Sequence, residues 1–215
     1  CVNRAGFRVS EIVLESIASS RAVLTEDEKE LGVLLIDLGG GTTDVLVHLD
    51  GAPYHTDVVG LGGGQVTNDL SIVLKTPLDV AERLKKESGC CYLPLVDKDE
   101  RVMIPGVGGW PAASIPRTEL VKIIQPRMAE IFSLVREQLE RKDYLRHLGG
   151  GVVLTGGGAL IPGAAELALD VFGIPARIGV PDKLRGLVEE YQNPVYATAM
   201  GLVMYGSDTG EATES

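Results

Sequence analysis

The sequence predicts an α/β fold built around a cleft, and three observations carry that reading. Two short apolar strands each run straight into a glycine cluster, at Leu34 to Asp44 (LLIDLGGGTTD) and at Val152 to Gly163 (VVLTGGGALIPG), which suggests two walls of one cleft. Elsewhere, short β-type runs alternate with segments whose apolar residues recur at helical spacing. With 215 residues, 45% of them hydrophobic, the chain can bury a sizeable core as one domain or two small lobes.

In chain order, Arg8 to Glu15 reads as a short strand and Ser16 to Leu24 as a helix of small residues, followed by an acidic connector, TEDEKE. Three strands come next, VLLIDL, DVLVHL and YHTDVV, and the Asp50-Gly51 pair between the last two is a hairpin signal. Gly62, Gly63 and Gly64 lead into a helix whose apolar face is Val66, Leu70, Val73 and Leu74, and Pro77 opens another helix, LDVAERLKKES. The Gly- and Pro-rich stretch VMIPGVGGWPAASIP predicts a pair of short strands. A helical stretch from Arg117 to Lys142 follows, and Pro126 is expected to divide it, because proline removes a backbone donor. Beyond the second glycine cluster the pattern gives a helix opening near Pro162, a short strand at Ala176 to Ile178, and a final helix, Val195 to Tyr205. The polar, acidic tail SDTGEATES is expected to be disordered. A chain that starts with Cys in mid-pattern is expected to be a fragment of a longer one.

A net charge of -10 and a pI near 4.8 oppose a field that would attract nucleic acid or anionic lipid, so no nucleic-acid partner is expected. No run approaches the roughly 20 apolar residues that span a bilayer, and the amino end lacks the apolar core of a secretory signal, which makes a reducing cytoplasm the expected location. The three cysteines agree: Cys90 and Cys91 are adjacent, Cys1 is the first residue, and none shows metal-ligand spacing with the three histidines. His48 and His55 lie on strands without a Ser or Cys partner pattern, which favours a core or edge-strand role over catalysis.

The chemistry concentrates in the glycine turns. After Asp37, the glycines Gly39, Gly40 and Gly41 let consecutive backbone amides face an anion without Cβ obstruction. Thr42 and Thr43 add hydroxyl donors and Asp44 closes the turn. Asp37 stands where a carboxylate can hold Mg²⁺ through water, since that ion keeps much of its hydration shell and bridges phosphates. The segment therefore reads as half of an ATP site. The alternative, a tight hairpin using glycine for geometry alone, does not explain the flanking carboxylates. No G-x-x-x-x-G-K-[ST] sequence exists. Gln65 and Ile161 occupy the sixth places after Gly60 and Gly156, so G-x-G-x-x-G is not completed either, and a P-loop enzyme or a dinucleotide dehydrogenase is not expected.

These residues carry a resemblance. DLGGGTTD, the distant GGGALIPG and the closing YATAMG resemble the two-phosphate, adenosine and hinge motifs of the actin, sugar kinase and DnaK-type ATPases. Within that group, LTEDEKELGVLLIDLGGGTTD, HTDVVGLGGGQVTND, KTPLDVAERLK, the PGVGGWP region and RTELVKIIQPR are similar to the bacterial cell-division family FtsA, over Ala5 to Gly206. The resemblance implies an actin-like ATPase (ribonuclease H-like) lobe with a smaller inserted α/β subdomain. Residues 1–30 would be a remnant of the first lobe and hinge, 31–63 and 127–206 the second lobe, 64–126 the inserted subdomain, and 207–215 a disordered tail.

Carried over residue by residue, it assigns Glu15 to orienting water near the γ-phosphate, Asp37 to organising Mg²⁺, and Gly39 to Thr43 to the phosphate loop. Gly62 and Gly63 match a glycine pair beside the phosphates. Glu82 and Lys85, three apart and so on one helical face, match an adenosine-contacting AE-x-x-K helix; alone they would be an ordinary solvated pair. Gly156, Gly157, Gly158 and Ala159 match the turn beneath the purine, and Ala197 and Gly201 a hinge helix that permits close crossing. Ser16 departs from the proline common in relatives. The family's first phosphate loop, the extra subdomain of its first lobe and its carboxyl-terminal amphipathic membrane helix have no counterpart in this sequence, so this chain alone is expected to grip ATP poorly and to leave membrane contact to that missing helix.

The function implied is an ATP-binding, actin-like division adaptor that polymerises head to tail at the cytoplasmic face of the membrane and recruits FtsZ and other divisome proteins, with slow or dispensable hydrolysis. The inserted subdomain would receive the FtsZ carboxyl-terminal tail, with Arg117 and Lys122 as candidate contacts. The alternatives are the related pilus-assembly adaptor ATPase and a small-molecule kinase of the same superfamily; a rod-shape actin or a chaperone ATPase shares the phosphate motifs but not the connecting sequence.

Overall fold

The computed structural model describes residues 1–106, 108, 109, 111–181 and 188–211. Helix α1 (Glu15–Val23) is rich in small residues and buries Ser16, Ala18, Ser19, Ser20, Ala22 and Val23. Helix α2 (Glu26–Leu31) starts from a capping box, in which the Thr25 hydroxyl accepts from the Glu28 amide at 3.2 Å and the Glu28 carboxylate accepts from the Thr25 amide at 2.8 Å. Strands β1 (Val33–Leu38), β2 (Thr43–Leu49) and β3 (Ala52–Val59) form an antiparallel meander. At the β2–β3 turn Asp50 and Gly51 both have positive φ, 50° and 77°, the backbone a two-residue hairpin needs.

Helices α3 (Gly63–Leu74) and α4 (Leu78–Ser88) follow, then the small ribbon of β4 (Arg101–Ile104) and β5 (Ala113–Pro116). The long helix α5 (Arg117–Arg141) leads to β6 (Val152–Thr155), α6 (Ala164–Phe172), β7 (Ala176–Ile178) and α7 (Ala197–Glu211). The five-stranded sheet has the order β3-β2-β1-β6-β7, with β6 and β7 parallel to β1.

β1 is buried on both faces, which is why it reads as an unbroken apolar run. Leu34, Ile36 and Leu38 point into the larger core with α3, α5 and α6, whereas Val33 and Leu35 join Leu46, Val153 and Ala197 beneath α1 and α7. Asp37 continues that second face. The alternation delivers a carboxylate to the α1/α7 side at the end of the central strand.

Five expectations are corrected. Arg8 to Leu14 is not a strand: it pairs with no neighbour among the described residues, and Phe7, Ile12 and Leu14 are 71%, 90% and 61% exposed, so no adjacent backbone supplies the ladder. The acidic connector is largely helix, because Thr25 and Glu28 cap it. α5 is not divided at Pro126; seven buried side chains from Leu120 to Leu139 hold both halves against one core and offset the cost of the proline. Val73 is 59% exposed, so the buried face of α3 rests on Val66 and Leu70. α7 runs through Glu211, so the first part of the expected tail is helical; residues 212–215 lie outside the described residues, as do residues 107 and 110 of the PGVGGWP region.

Candidate functional site

The β1–β2 turn is built against the start of α3. The Gly39 amide donates to the Thr42 carbonyl at 3.0 Å, and the amides of Gly63 and Gly64 donate to the carbonyls of Gly39 and Gly40 at 2.9 and 2.7 Å. A Cβ on Gly62 would sit 2.6 Å from the Gly39 oxygen, so only glycine permits this approach. The amides of Gly62, Gly63 and Gly64 are thus spent inside the protein, that of Gly62 on the Gln65 side chain at 2.7 Å. Thr43 is fully buried and gives its hydroxyl to the Leu61 carbonyl, which removes it from the donors expected to face an anion; Gly40, Gly41 and Thr42 remain exposed at the tip.

Glu82 and Lys85 are not a solvated surface pair. Lys85 Nζ lies 2.7 Å from Glu82 Oε2 and donates to the Gly63 carbonyl at 2.9 Å and to Thr67 Oγ1 at 2.8 Å, with the residue only 9% exposed. The Thr67 hydroxyl also donates to Glu82, and Lys86 reaches the other carboxylate oxygen. Burial opposes ionisation of Glu82, but the hydrogen bonds from Lys85, Thr67 and Lys86 outweigh it and bring the carboxyl down to about 2. The network pins α4 to the first turn of α3, beside the glycine turn.

At the end of β6 the second glycine turn packs on the end of β1. Gly156 has φ 80°, and a Cβ there would lie 2.3 Å from Asp37 Oδ1; one on Gly158 would meet Leu38 Cβ at 2.7 Å. The two turns face each other across a cleft of about 480 Å³, lined by Gly39, Gly40, Gly63, Glu82, Lys85, Lys86, Gly157, Gly158, Leu160, Ile161 and Val195. Phosphate-sized turns, a buried cation and an apolar wall thus occupy one concavity, the composition expected of a nucleotide site. Glu15, Asp37, Gly41, Thr42, Thr43, Asp44, Gly62, Gly156 and Ala159 do not line it.

Asp37 stands opposite Asp44 across the β1–β2 pair, on the face that carries α1. Its Oδ2 accepts from Ser19 Oγ at 2.7 Å and from Thr198 Oγ1 at 3.4 Å, and the two hydroxyls are 2.9 Å apart. Burial raises its carboxyl pKa most; Asp44 and Glu15 push it the same way, and the Ser19 and Thr198 hydrogen bonds pull it back. Converging carboxylates of this kind favour a cation between them. Among the described residues no three His, Cys, Asp or Glu side chains form a metal cage; the paired Asp37 and Asp44 offer oxygen donors only, the chemistry that suits a hard, hydrated ion such as Mg²⁺. Ser19 and Thr198 were missed from the sequence, since isolated hydroxyls 18 and 161 positions from Asp37 carry no motif. Arg117 is consumed internally, donating to the carbonyls of Ser88 and Gly89 and to Glu100 at 2.6 Å, and Lys122 is exposed and paired with Glu119.

The sheet order and the opposed glycine turns define an actin-like ATPase fold. MreB5 of Spiroplasma citri bound to ADP superposes with a TM-score of 0.78 at 20% identity, covering 99% of this chain and 64% of that one. A PilM-PilN type IV pilus biogenesis complex gives 0.69 at 21%, covering 95% and 55%. Such identities speak for fold alone. At the level of sequence, the family model "Cell division protein FtsA" matches residues 34–201. The chain is 45% identical over 206 residues to cell division protein FtsA of Pseudomonas aeruginosa, covering 96% of this chain and 49% of the relative, and 43% identical over 221 residues to that of Escherichia coli K12, covering 98% and 53%. The Bacillus subtilis relative is 38% identical over 205 residues, covering 95% and 45%. The chain belongs to the FtsA family, and it spans about half the length of the curated relatives it matches.

Proposed function

We propose that this chain supplies the two facing glycine turns of the nucleotide cleft of an actin-like cell division protein, one that binds Mg²⁺-ATP and links FtsZ filaments to the cytoplasmic face of the membrane. The observation that carries the reading is the cleft in which Gly39 and Gly40 face Gly157 and Gly158, with Lys85 buried at its edge. Exposed amides of the first turn would take the phosphates, the α3–α4 side with Glu82 and Lys85 would meet the adenosine, and the second turn would lie beneath the purine. When bound, Mg²⁺ would neutralise phosphate charge beside Asp37, with Asp44 behind it. Glu15, exposed in the first turn of α1, would orient a water near the γ-phosphate. Occupancy would act as a switch, favouring the protomer shape that assembles head to tail.

The inserted segment, residues 64–126, would receive the FtsZ carboxyl-terminal tail. Arg117 serves there as an internal staple, because its guanidinium already holds Ser88, Gly89 and Glu100. Among the described residues no helix is long and apolar enough to cross a bilayer. Membership in the FtsA family favours the division role over the pilus adaptor and the small-molecule kinase.

Two titrations test the proposal. In the full-length protein Asp37→Ala should weaken binding of fluorescent Mg²⁺-ATP by about 10-fold or more, the usual cost of removing a group that orients a metal; unchanged affinity would remove the assigned role. A labelled FtsZ tail peptide, followed by fluorescence anisotropy against a scrambled control, should bind saturably, and equal binding of the two peptides would refute the adaptor function.

A further inference from the structure

The two hydroxyls on Asp37 come from different helices, and those helices cross at the tightest approach the backbone allows. Ser19 belongs to α1 and Thr198 to α7. One turn further along α7, a Cβ on Gly201 would lie 1.8 Å from the Ala18 carbonyl oxygen, so α1 and α7 lie backbone to backbone. Each hydroxyl has one proton. The 2.7 Å bond to Asp37 takes that of Ser19, and the 2.9 Å contact is shorter than the 3.4 Å reach to the carboxylate, so Thr198 gives its proton to Ser19. The result is a directed relay, Thr198 to Ser19 to Asp37, running from α7 through α1 to β1. Ser19 is fully buried, and its one proton is used in the relay.

We infer that Ser19 and Thr198 are positioning residues that hold the Asp37 carboxylate in a fixed rotamer for the metal and make its occupancy felt in the α1–α7 crossing. Ser19 donates to Oδ2, with Thr198 behind it 3.4 Å from the same oxygen, which leaves Oδ1, the oxygen beside Gly156, without a hydrogen bond among the described residues. A cation drawing on the carboxylate strengthens or loosens bonds that tie both helices, so the angle between them answers to the nucleotide. The inference rests on the nucleotide reading given above.

The test uses the full-length protein and the variants Ser19→Ala, Thr198→Val, the double variant, and the conservative Ser19→Thr and Thr198→Ser. Two quantities are measured: the ratio of fluorescent ATP affinity with Mg²⁺ to that with EDTA, and hydrogen exchange of α1 and α7 amides with and without Mg²⁺-ATP. Ser19→Ala should lower the Mg²⁺ ratio by about 10- to 100-fold, as loss of outer-shell partners does, leave the EDTA affinity unchanged, and abolish ligand-induced protection of α7. The double variant should be no worse than Ser19→Ala, because the relay passes through Ser19, and Thr198→Ser should restore what Thr198→Val loses. An unchanged Mg²⁺ ratio in folded Ser19→Ala, or α7 protection retained in it, would overturn the inference. A wild-type protein that binds no nucleotide would instead overturn the nucleotide reading.

Discussion

At the scale of single residues, the face on which a side chain leaves its strand decides its role. Asp37 and His48 lie on the same side of the sheet, beneath α1, yet their surroundings differ. Asp37 has hydroxyl partners; His48 is 3% exposed and neither ring nitrogen has a hydrogen-bond partner among the described residues. Burial first, and then the nearby Lys29 charge, push the His48 imidazole down to about 4. Its folded pKa is below its unfolded value, so the native state holds it neutral and the unfolded chain takes up the proton first. Stability is therefore full above pH 6.5 and is lost as pH falls from there toward 4, by roughly 3 kcal/mol from this group. His48→Leu should remove that part of the acid loss, and denaturant melts at pH 7 and pH 4.5 check it: an undiminished loss would exonerate His48. Its place on a strand without a Ser or Cys partner pattern already favours a core or edge-strand role, and the structure puts it in the core, but the surroundings of its ring nitrogens depend on the elements packed over it. Glu82 and Lys85 show the same limit, since their i,i+3 spacing is visible in the sequence while Thr67 and the Gly63 carbonyl, which bury the pair, come from another helix.

At the scale of elements, what was legible was whatever the local chain determines. The three-strand meander and its Asp50-Gly51 turn, the β4–β5 ribbon, the start of α4 at Pro77 and the short β7 follow from alternation and turn chemistry. Arg8 to Leu14 has the alternation of a strand, but a strand exists only where a neighbour completes it. α2 had a readable signal, Thr25 followed by Glu28 three residues later, hidden under its acidic composition. Pro126 is the instructive miss, because a rule about local backbone lost to burial along 25 residues of α5. Pro126 is exposed, and Pro126→Ala would restore a backbone donor without losing core contacts. That variant should be stabilised by about 1–3 kcal/mol in chemical unfolding; a destabilised variant would show that the proline is used for shape.

At the scale of the whole molecule, the carboxyl end beyond Gly206 is peripheral. Its described anchor is the Arg21–Asp208 pair, with side chains 36% and 66% exposed, a class of ion pair worth under about 1 kcal/mol. Ending the protein's helix α7 at Gly206 should leave the melting temperature within a few degrees of the parent, and a large fall would assign that last turn a packing role. The cleft, by contrast, depends on the whole fold: strands β1 and β6, separated by more than a hundred residues, must pair in parallel for their glycine turns to face each other. Sequence motifs named both turns; only the sheet order places them on one concavity.

Hydrogen exchange of the full-length protein with and without Mg²⁺-ATP tests that placement most directly. If the cleft holds the nucleotide, amides of the Gly39–Thr42 and Gly156–Ala159 turns are protected together on adding ATP, and Asp37→Ala abolishes the effect at both. Saturating nucleotide that leaves both turns exchanging at their free rates would contradict the account.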